Sequence, residues 1–403
     1  IAKACNGEYV GDESIKNTKI TSVERDSLQV NNGSLFLAIK GERVDGHDFI
    51  EKCFAQGAVC ALCEKAPENA TKPCIVVSST LDAVKKIGRA YREKFDIPVI
   101  GISGSVGKTS TKEMLYAVLS QRFKTHKTQG NLNNELGVPL TLLSMPEDTE
   151  AAVIEMGISD FGEMTRLSEM VQPTICVLTI IGECHLENLG DRDGVLKAKT
   201  EMFKNACENA DFILNGDDDK LSTVKTVNGK KPVFFGLDAK NDFYAKNIKN
   251  SGDGKVLATL CFDNNNIDVE IPAIGTYMVT NALAAAAAGK LLGLTDEEIA
   301  NGVASYKTVG SRANVINTGK IKIIDDCYNA NPTSVRASLD TLSNLDGRKV
   351  AILGDMKELG SEELKLHFDT GVYAKSKDIG TVITVGELAK ELAKGADGKA
   401  VDT

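Results

Sequence analysis

Short apolar runs bounded by glycine, proline or asparagine alternate with longer amphipathic stretches along most of the chain. Strand-like runs at 34–39, 58–62 and 74–77, with a helical pattern at 81–95, predict a small α/β domain over 1–96. Pro98 opens the next domain, 97–310, where apolar strands at 99–103, 151–156 and 174–180 alternate with helices at 107–121, 160–170 and 194–209. That rhythm implies a parallel sheet covered on both faces, with ligands bound at the strand C-termini. Segment 231–273 reads as an antiparallel insert, and the alanine-rich helix 279–293 requires close packing. Over 311–403 the rhythm restarts, with strands at 320–325, 349–353 and 381–385 and helices at 332–344 and 361–375, predicting a Rossmann-like third domain. The fold class is α/β with three domains.

A chain of 403 residues with 42% hydrophobic content can bury more than one core. A net charge of −9 argues against broad nucleic-acid binding. No apolar run approaches the roughly 18 residues needed to span a bilayer, so no membrane insertion and a cytoplasmic location are expected. The ten cysteines lie mostly in apolar segments without a secretory signal before them, which favours reduced, buried thiols. Cys60-Ala-Leu-Cys63 has neither a second pair nor a nearby histidine and reads as core. The first residue is isoleucine rather than methionine, so a trimmed N-terminus is expected.

The chemistry concentrates after the strand at 99–103. Glycines at 101, 104 and 107 lead into Lys108-Thr109, giving G-x-x-G-x-x-G-K-T; Ile102 stands where the common Walker pattern has its first glycine. Gly104 and Gly107 let backbone N–H groups converge on a polyphosphate, the next helix presents its positive end, and Lys108 and Thr109 reach phosphate and magnesium. Gly104, Ser105, Val106, Gly107, Lys108, Thr109 and Ser110 are therefore the expected ATP or GTP cradle. Glu155 ends the apolar strand 151–155, where a carboxylate can hold Mg²⁺ or a salt bridge. His185 follows the next strand as a ligand or a structural residue, and Lys199 reads by itself as a solvated helix lysine.

Together these residues resemble the Mur ligase family. The resemblance runs through Gly101–Thr111, Thr128-Gln-Gly-Asn-Leu-Asn-Asn-Glu-Leu-Gly137, Glu155-Met-Gly157, His185-Leu-Glu187, Ala198-Lys199, Gly310-Ser-Arg312 and Asp325-Asp-Cys-Tyr-Asn-Ala-Asn-Pro-Thr-Ser334. The last stretch resembles the member that adds D-alanyl-D-alanine to UDP-N-acetylmuramoyl-tripeptide in peptidoglycan synthesis. The Asp-Asn-Pro-Arg expected of the diaminopimelate-adding relative is missing. The resemblance implies that ATP phosphorylates the peptide carboxylate and that the incoming amine attacks the acyl phosphate.

By that resemblance Thr109 and Glu155 hold one Mg²⁺, while His185 and Lys199 attend a second, with Lys199 carried as a CO₂-derived carbamate. Arg312 reaches the γ-phosphate, Asn281 contacts adenine and Asp326 binds ribose; Tyr277 stands where the family has histidine. Asn133, Asn134, Asn329 and Asn331 are expected near the peptide substrates, although Asn331-Pro332 also suits a turn before a helix. Ser27, Lys40, Gly46 and His47 are expected at the UDP-sugar, with Leu28 in place of the arginine of the family's Asp-Ser-Arg. Relatives continue past 403 with a further strand and helix, so a truncated third domain is expected, as is a monomer. A folylpolyglutamate-type ligase and a non-catalytic nucleotide-binding protein are the competing readings.

Overall fold

The computed structural model describes residues 1–251, 254–377, 379–397 and 399–401. Backbone contacts divide the chain into two compact units. The first comprises Ile1–Ile97, Thr128–Thr149 and Glu169–Val171; the second comprises Pro98–Lys127, Glu150–Ser168 and Gln172–Thr403.

In the first unit, β1 (Glu8–Val10), β2 (Ser22–Glu24), β3 (Ser34–Leu37), β4 (Cys60–Cys63) and β5 (Cys74–Val76) form a sheet in the order β1-β5-β4-β3-β2. Only β1 runs antiparallel. Side-chain alternation between two covered faces explains why β3 is buried throughout. Leu35 and Leu37 pack with Val84 and Ile87 of helix Thr80–Arg92, whereas Phe36 packs with Ile50 and Phe54 of helix Ile50–Gln56. Cys60 and Cys63 fall in opposite cores, so this C-x-x-C cannot chelate one ion, and all ten cysteines are free thiols.

The domain expected at 97–310 is not continuous in space, because residues 128–149 pack into the first unit. Helix Gly137–Leu143 brings Leu140 and Leu143 onto the core of Leu35 and Ile87. The close approach is set by glycine: a Cβ at Gly88 would stand 2.8 Å from Cβ of Pro139.

The second unit is built on β6 (Val99–Ser103), β7 (Thr125–Lys127), β8 (Ala151–Glu155), β9 (Ile175–Leu178), β10 (Asp211–Asn215) and β11 (Val233–Phe235), all parallel, in the order β11-β10-β9-β6-β8-β7. The chain turns one way from β6 to reach β8 and the other way to reach β9. β6 therefore ends at the topological switch point, where open α/β sheets bind ligands. Helix Tyr277–Leu291 lies against the helix that follows β6, and Gly289 leaves 3.2 Å between an added Cβ and Val118.

Several expected elements differ. β11 joins the parallel sheet, so the antiparallel insert is only β12 (Tyr244–Ser251), β13 (Lys255–Phe262) and β14 (Asn265–Ile271). The helix expected over 194–209 spans Arg192–Thr200, tightens into a 3₁₀ turn at Glu201–Asn205 and leaves extended at Ala206. Nor does 320–325 begin a Rossmann sheet. β15 (Asn314–Asn317) and β16 (Lys322–Asp325) form an antiparallel hairpin, and the final parallel sheet holds β17 (Val350–Gly354), β18 (Thr381–Val385) and β19 (Lys399–Val401).

Candidate active site

The loop between β6 and helix Lys108–Leu119 needs its glycines for different reasons. Gly104 has φ +151°, and an added Cβ would lie 1.9 Å from Thr179 Oγ1. Gly107 has room around it but sits at φ +85°, where a side chain is strained. It begins the helix without a side-chain cap, so first-turn N–H groups are left for an anion. Lys108 Nζ donates to Gly104 O at 2.7 Å, which folds its ammonium over the loop.

Two hard oxygen donors meet beside this loop. Thr109 Oγ1 lies 3.1 and 3.0 Å from the carboxylate oxygens of Glu155, which is almost fully buried at the end of β8. Buried Lys112 stands 3.6 Å from Glu155 and 3.2 Å from Glu113, so cations already compensate the carboxylate. An alcohol and a carboxylate converging on a phosphate loop fit Mg²⁺.

The loop after β9 completes the floor. The Gly182 amide donates to Ser105 Oγ at 2.9 Å, the Cys184 thiol lies 3.0 Å from the same oxygen, and Asp218 accepts from the Ile181 amide at 2.9 Å. This fixes His185 in a left-handed conformation, φ 53°, with Nδ1 2.5 Å from Glu358. Burial, then the neighbouring Lys199 cation, lowers the His185 pKa despite the opposing Glu358 carboxylate, which favours the neutral, metal-ligating form of the ring.

Lys199 is not a surface lysine. Its side chain is 1% exposed and makes no ion pair among the described residues. Burial, reinforced by Lys108 and opposed by Cys184, pushes its pKa down to about 8. A buried amine with a substantial neutral fraction near physiological pH can react with CO₂, as the carbamate reading requires.

Asn281 is tied to the P-loop helix, its Oδ1 accepting from Thr111 Oγ1 at 3.0 Å. Ser110 hydrogen-bonds Tyr306, whose hydroxyl also feels the Arg312 charge. Arg312 stacks on Tyr328, 3.8 Å from the ring centroid. Asp326 accepts from the Ala313 amide at 3.0 Å and from the Ser338 hydroxyl, so both oxygens already have partners. Asn331 Oδ1 accepts from Ser334 N at 2.9 Å in a capping box opening helix Pro332–Ser343. The turn-building alternative for Asn331 is thus realised. Asn329 is exposed and, among the described residues, bonds only the adjacent Ala330 amide.

The first unit carries its own cavity of about 390 Å³, with Ser27, Gly46 and Arg25 on its wall. Gly46 is required there, because a Cβ would stand 2.7 Å from the backbone of Ile39. His47 has both ring nitrogens occupied: Nε2 accepts from the Glu64 amide at 2.9 Å, so Nδ1 carries the proton toward Asp45 at 2.6 Å. It therefore braces the loop. Lys40 and Leu28 are exposed and do not line the cavity. Asn134 accepts from the Gly137 amide at 2.8 Å and opens a helix, while Asn133 is half-buried in the same segment.

Profiles of the Mur ligase middle domain, the Mur ligase, glutamate ligase domain and the Mur ligase family, catalytic domain match residues 102–289, 311–403 and 19–103. The UDP-N-acetylmuramoyl-tripeptide--D-alanyl-D-alanine ligase of Bacillus subtilis (strain 168) is 38% identical over 386 residues, 94% of this chain and 83% of its own length. The chain belongs to the Mur ligase family. Among solved Mur ligases, MurF from Acinetobacter baumannii superposes with a TM-score of 0.92 at 33% identity, covering 100% of this chain and 88% of that one. MurF from Thermotoga maritima in complex with ADP gives 0.84 at 30% identity, covering 96% and 88%.

This Mur ligase also uses residues the sequence did not single out. Lys112, Asp218 and Glu358 support Glu155, the β9 loop and His185. Asp218 lies in the acidic run 217–219 just after a strand, a signal that was readable; Glu358 comes from a distant segment and carried none.

Proposed function

We propose that this Mur ligase joins D-alanyl-D-alanine to UDP-N-acetylmuramoyl-tripeptide through an acyl phosphate, consuming ATP in bacterial cell-wall synthesis. The observation that carries the reading is the pairing of Thr109 with Glu155 on a phosphate loop in the same unit as His185 and buried Lys199, which makes no ion pair among the described residues. The names of its relatives and the ADP complex of one of them point the same way.

A carboxylate resists amine attack at neutral pH, and transfer of the ATP γ-phosphoryl group supplies a leaving group. Lys108 and the N–H groups at the start of its helix hold the phosphates in line. Two magnesium ions, when bound, neutralise charge on the transferring phosphate. Thr109 and Glu155 would hold one of them; His185 and Lys199, as its carbamate, would hold the other. A carbamate forms when the neutral amine adds to CO₂ and loses a proton, converting a cation into an oxygen donor. Arg312 would meet the γ-phosphate, exchanging the Tyr328 ring for an anion. Asn281 and Asp326 would contact the nucleoside. Ser27 and Gly46 would hold the UDP end, and Asn133, Asn134, Asn329 and Asn331 would lie near the peptide substrates. On this reading the enzyme works as a monomer in the cytoplasm, with domains at 1–96, 97–310 and 311–403 apart from the 128–149 excursion.

The test is phosphate release with UDP-N-acetylmuramoyl-tripeptide, ATP and Mg²⁺, offering D-alanyl-D-alanine or single amino acids. Release with the dipeptide alone, abolished in Lys199→Ala, supports the proposal. Release with L-glutamate on a folate acceptor overturns it.

A further inference from the structure

The first-unit cavity is walled mainly by Phe36, Ile39, Phe49 and Gly46, with Ser27 and Arg25 as its side-chain polar groups. Apolar side chains and a glycine edge suit a flat, weakly polar ring. The guanidinium is the cavity's one cation, and it makes no ion pair among the described residues. An unpaired arginine at the edge of an apolar cavity is suited to an anion joined to that ring.

Three residues further on, Leu28 occupies the place of the expected arginine of the Asp-Ser-Arg motif. It is 78% exposed and lies outside the cavity wall. The Asp26 side chain accepts from the Leu28 amide at 2.9 Å, closing a tight turn that leaves Arg25 and Ser27 on the cavity side. Arg25 is thus the cation that this turn presents to the cavity.

We propose that Arg25 is the residue of this chain that binds the diphosphate of the UDP-linked substrate. The inference rests on the proposed activity, because it takes the ligand to be a uridine diphosphate derivative. The base occupies the apolar wall, and Arg25 meets the phosphates at the mouth.

The experiment compares UDP with uridine as ligands of the full chain by calorimetry. The wild type binds UDP more tightly than uridine. Arg25→Ala weakens UDP about ten- to hundredfold, the loss expected for one charge-assisted contact, while uridine affinity stays unchanged. Arg25→Ala/Leu28→Arg recovers part of the UDP affinity. In turnover, Arg25→Ala raises KM for the UDP substrate and leaves kcat unchanged. Equal UDP affinity in wild type and Arg25→Ala overturns this inference and leaves the ligase reading standing. Absence of UDP and UDP-tripeptide binding by the wild type overturns both. An equal loss of uridine affinity makes Arg25 a support of the cavity wall and also overturns the proposal.

Discussion

The hydroxyl of Thr109 lies 3.0 Å from one carboxylate oxygen of Glu155 and 3.1 Å from the other, joining the first turn of the P-loop helix to the end of β8. Both groups are buried. This contact aims two oxygens at the phosphate loop, and a nearby lysine balances the charge of the carboxylate.

Glu155→Gln keeps the size of that side chain and removes its charge. It is expected to lower kcat/KM by about 10²-fold or more and to raise the Mg²⁺ concentration needed for half-maximal rate. Steady-state rates across a magnesium titration check this, with circular dichroism confirming an unchanged fold.

Gly104→Ala forces a Cβ to within 1.9 Å of Thr179 Oγ1 at a backbone angle that disfavours side chains. The loop must shift, at a cost of about 1–3 kcal/mol. Loss of ADP binding by calorimetry, with only a modest fall in Tm, is the expected outcome. Gly107→Ala meets no such clash and suffers from backbone strain alone.

Much of the ATP side was legible because it is local. Spacing from Gly101 to Thr109 and a carboxylate ending an apolar strand depend on neighbours in the chain. Lys199 shows the limit: helical periodicity alone left it on the surface, whereas it is buried within electrostatic reach of Cys184 and His185, residues far from it in pattern though near in space. The 128–149 excursion was hidden for a similar reason, because its leucines pack on a core formed much earlier in the chain. β7 is short and polar, with Thr125-His-Lys127 giving no apolar run, and only pairing with β8 reveals it.

Lys199→Met should separate stability from activity. The lysine has a folded pKa of about 8 against an ordinary 10.5, so its burial penalty is fully present below about pH 8 and is relieved as pH rises toward 10.5. In CO₂-free buffer at pH 7 the methionine variant is expected to be more stable by about 3 kcal/mol, a gain that shrinks by pH 10. It is also expected to be inactive. His185, whose pKa is depressed below 6.5, adds acid sensitivity: stability falls as pH drops below about 6.5. Denaturant titrations at several pH values measure both effects.

Asn331→Ser retains an oxygen able to cap helix Pro332–Ser343, whereas Asn331→Ala removes it. The alanine variant is expected to lose about 1 kcal/mol of stability and the serine variant only a few tenths. A rise in KM for D-alanyl-D-alanine in the serine variant would then report a substrate contact rather than a loosened helix.

The central claim is that the peptide carboxylate is activated as an acyl phosphate. The most direct measurement labels both oxygens of the terminal carboxylate of UDP-N-acetylmuramoyl-tripeptide with ¹⁸O and follows the label by mass spectrometry after one turnover with ATP and D-alanyl-D-alanine. The account predicts one ¹⁸O in inorganic phosphate and one in the new peptide. Label in AMP with release of pyrophosphate, or both ¹⁸O atoms left on unreacted tripeptide, would contradict it.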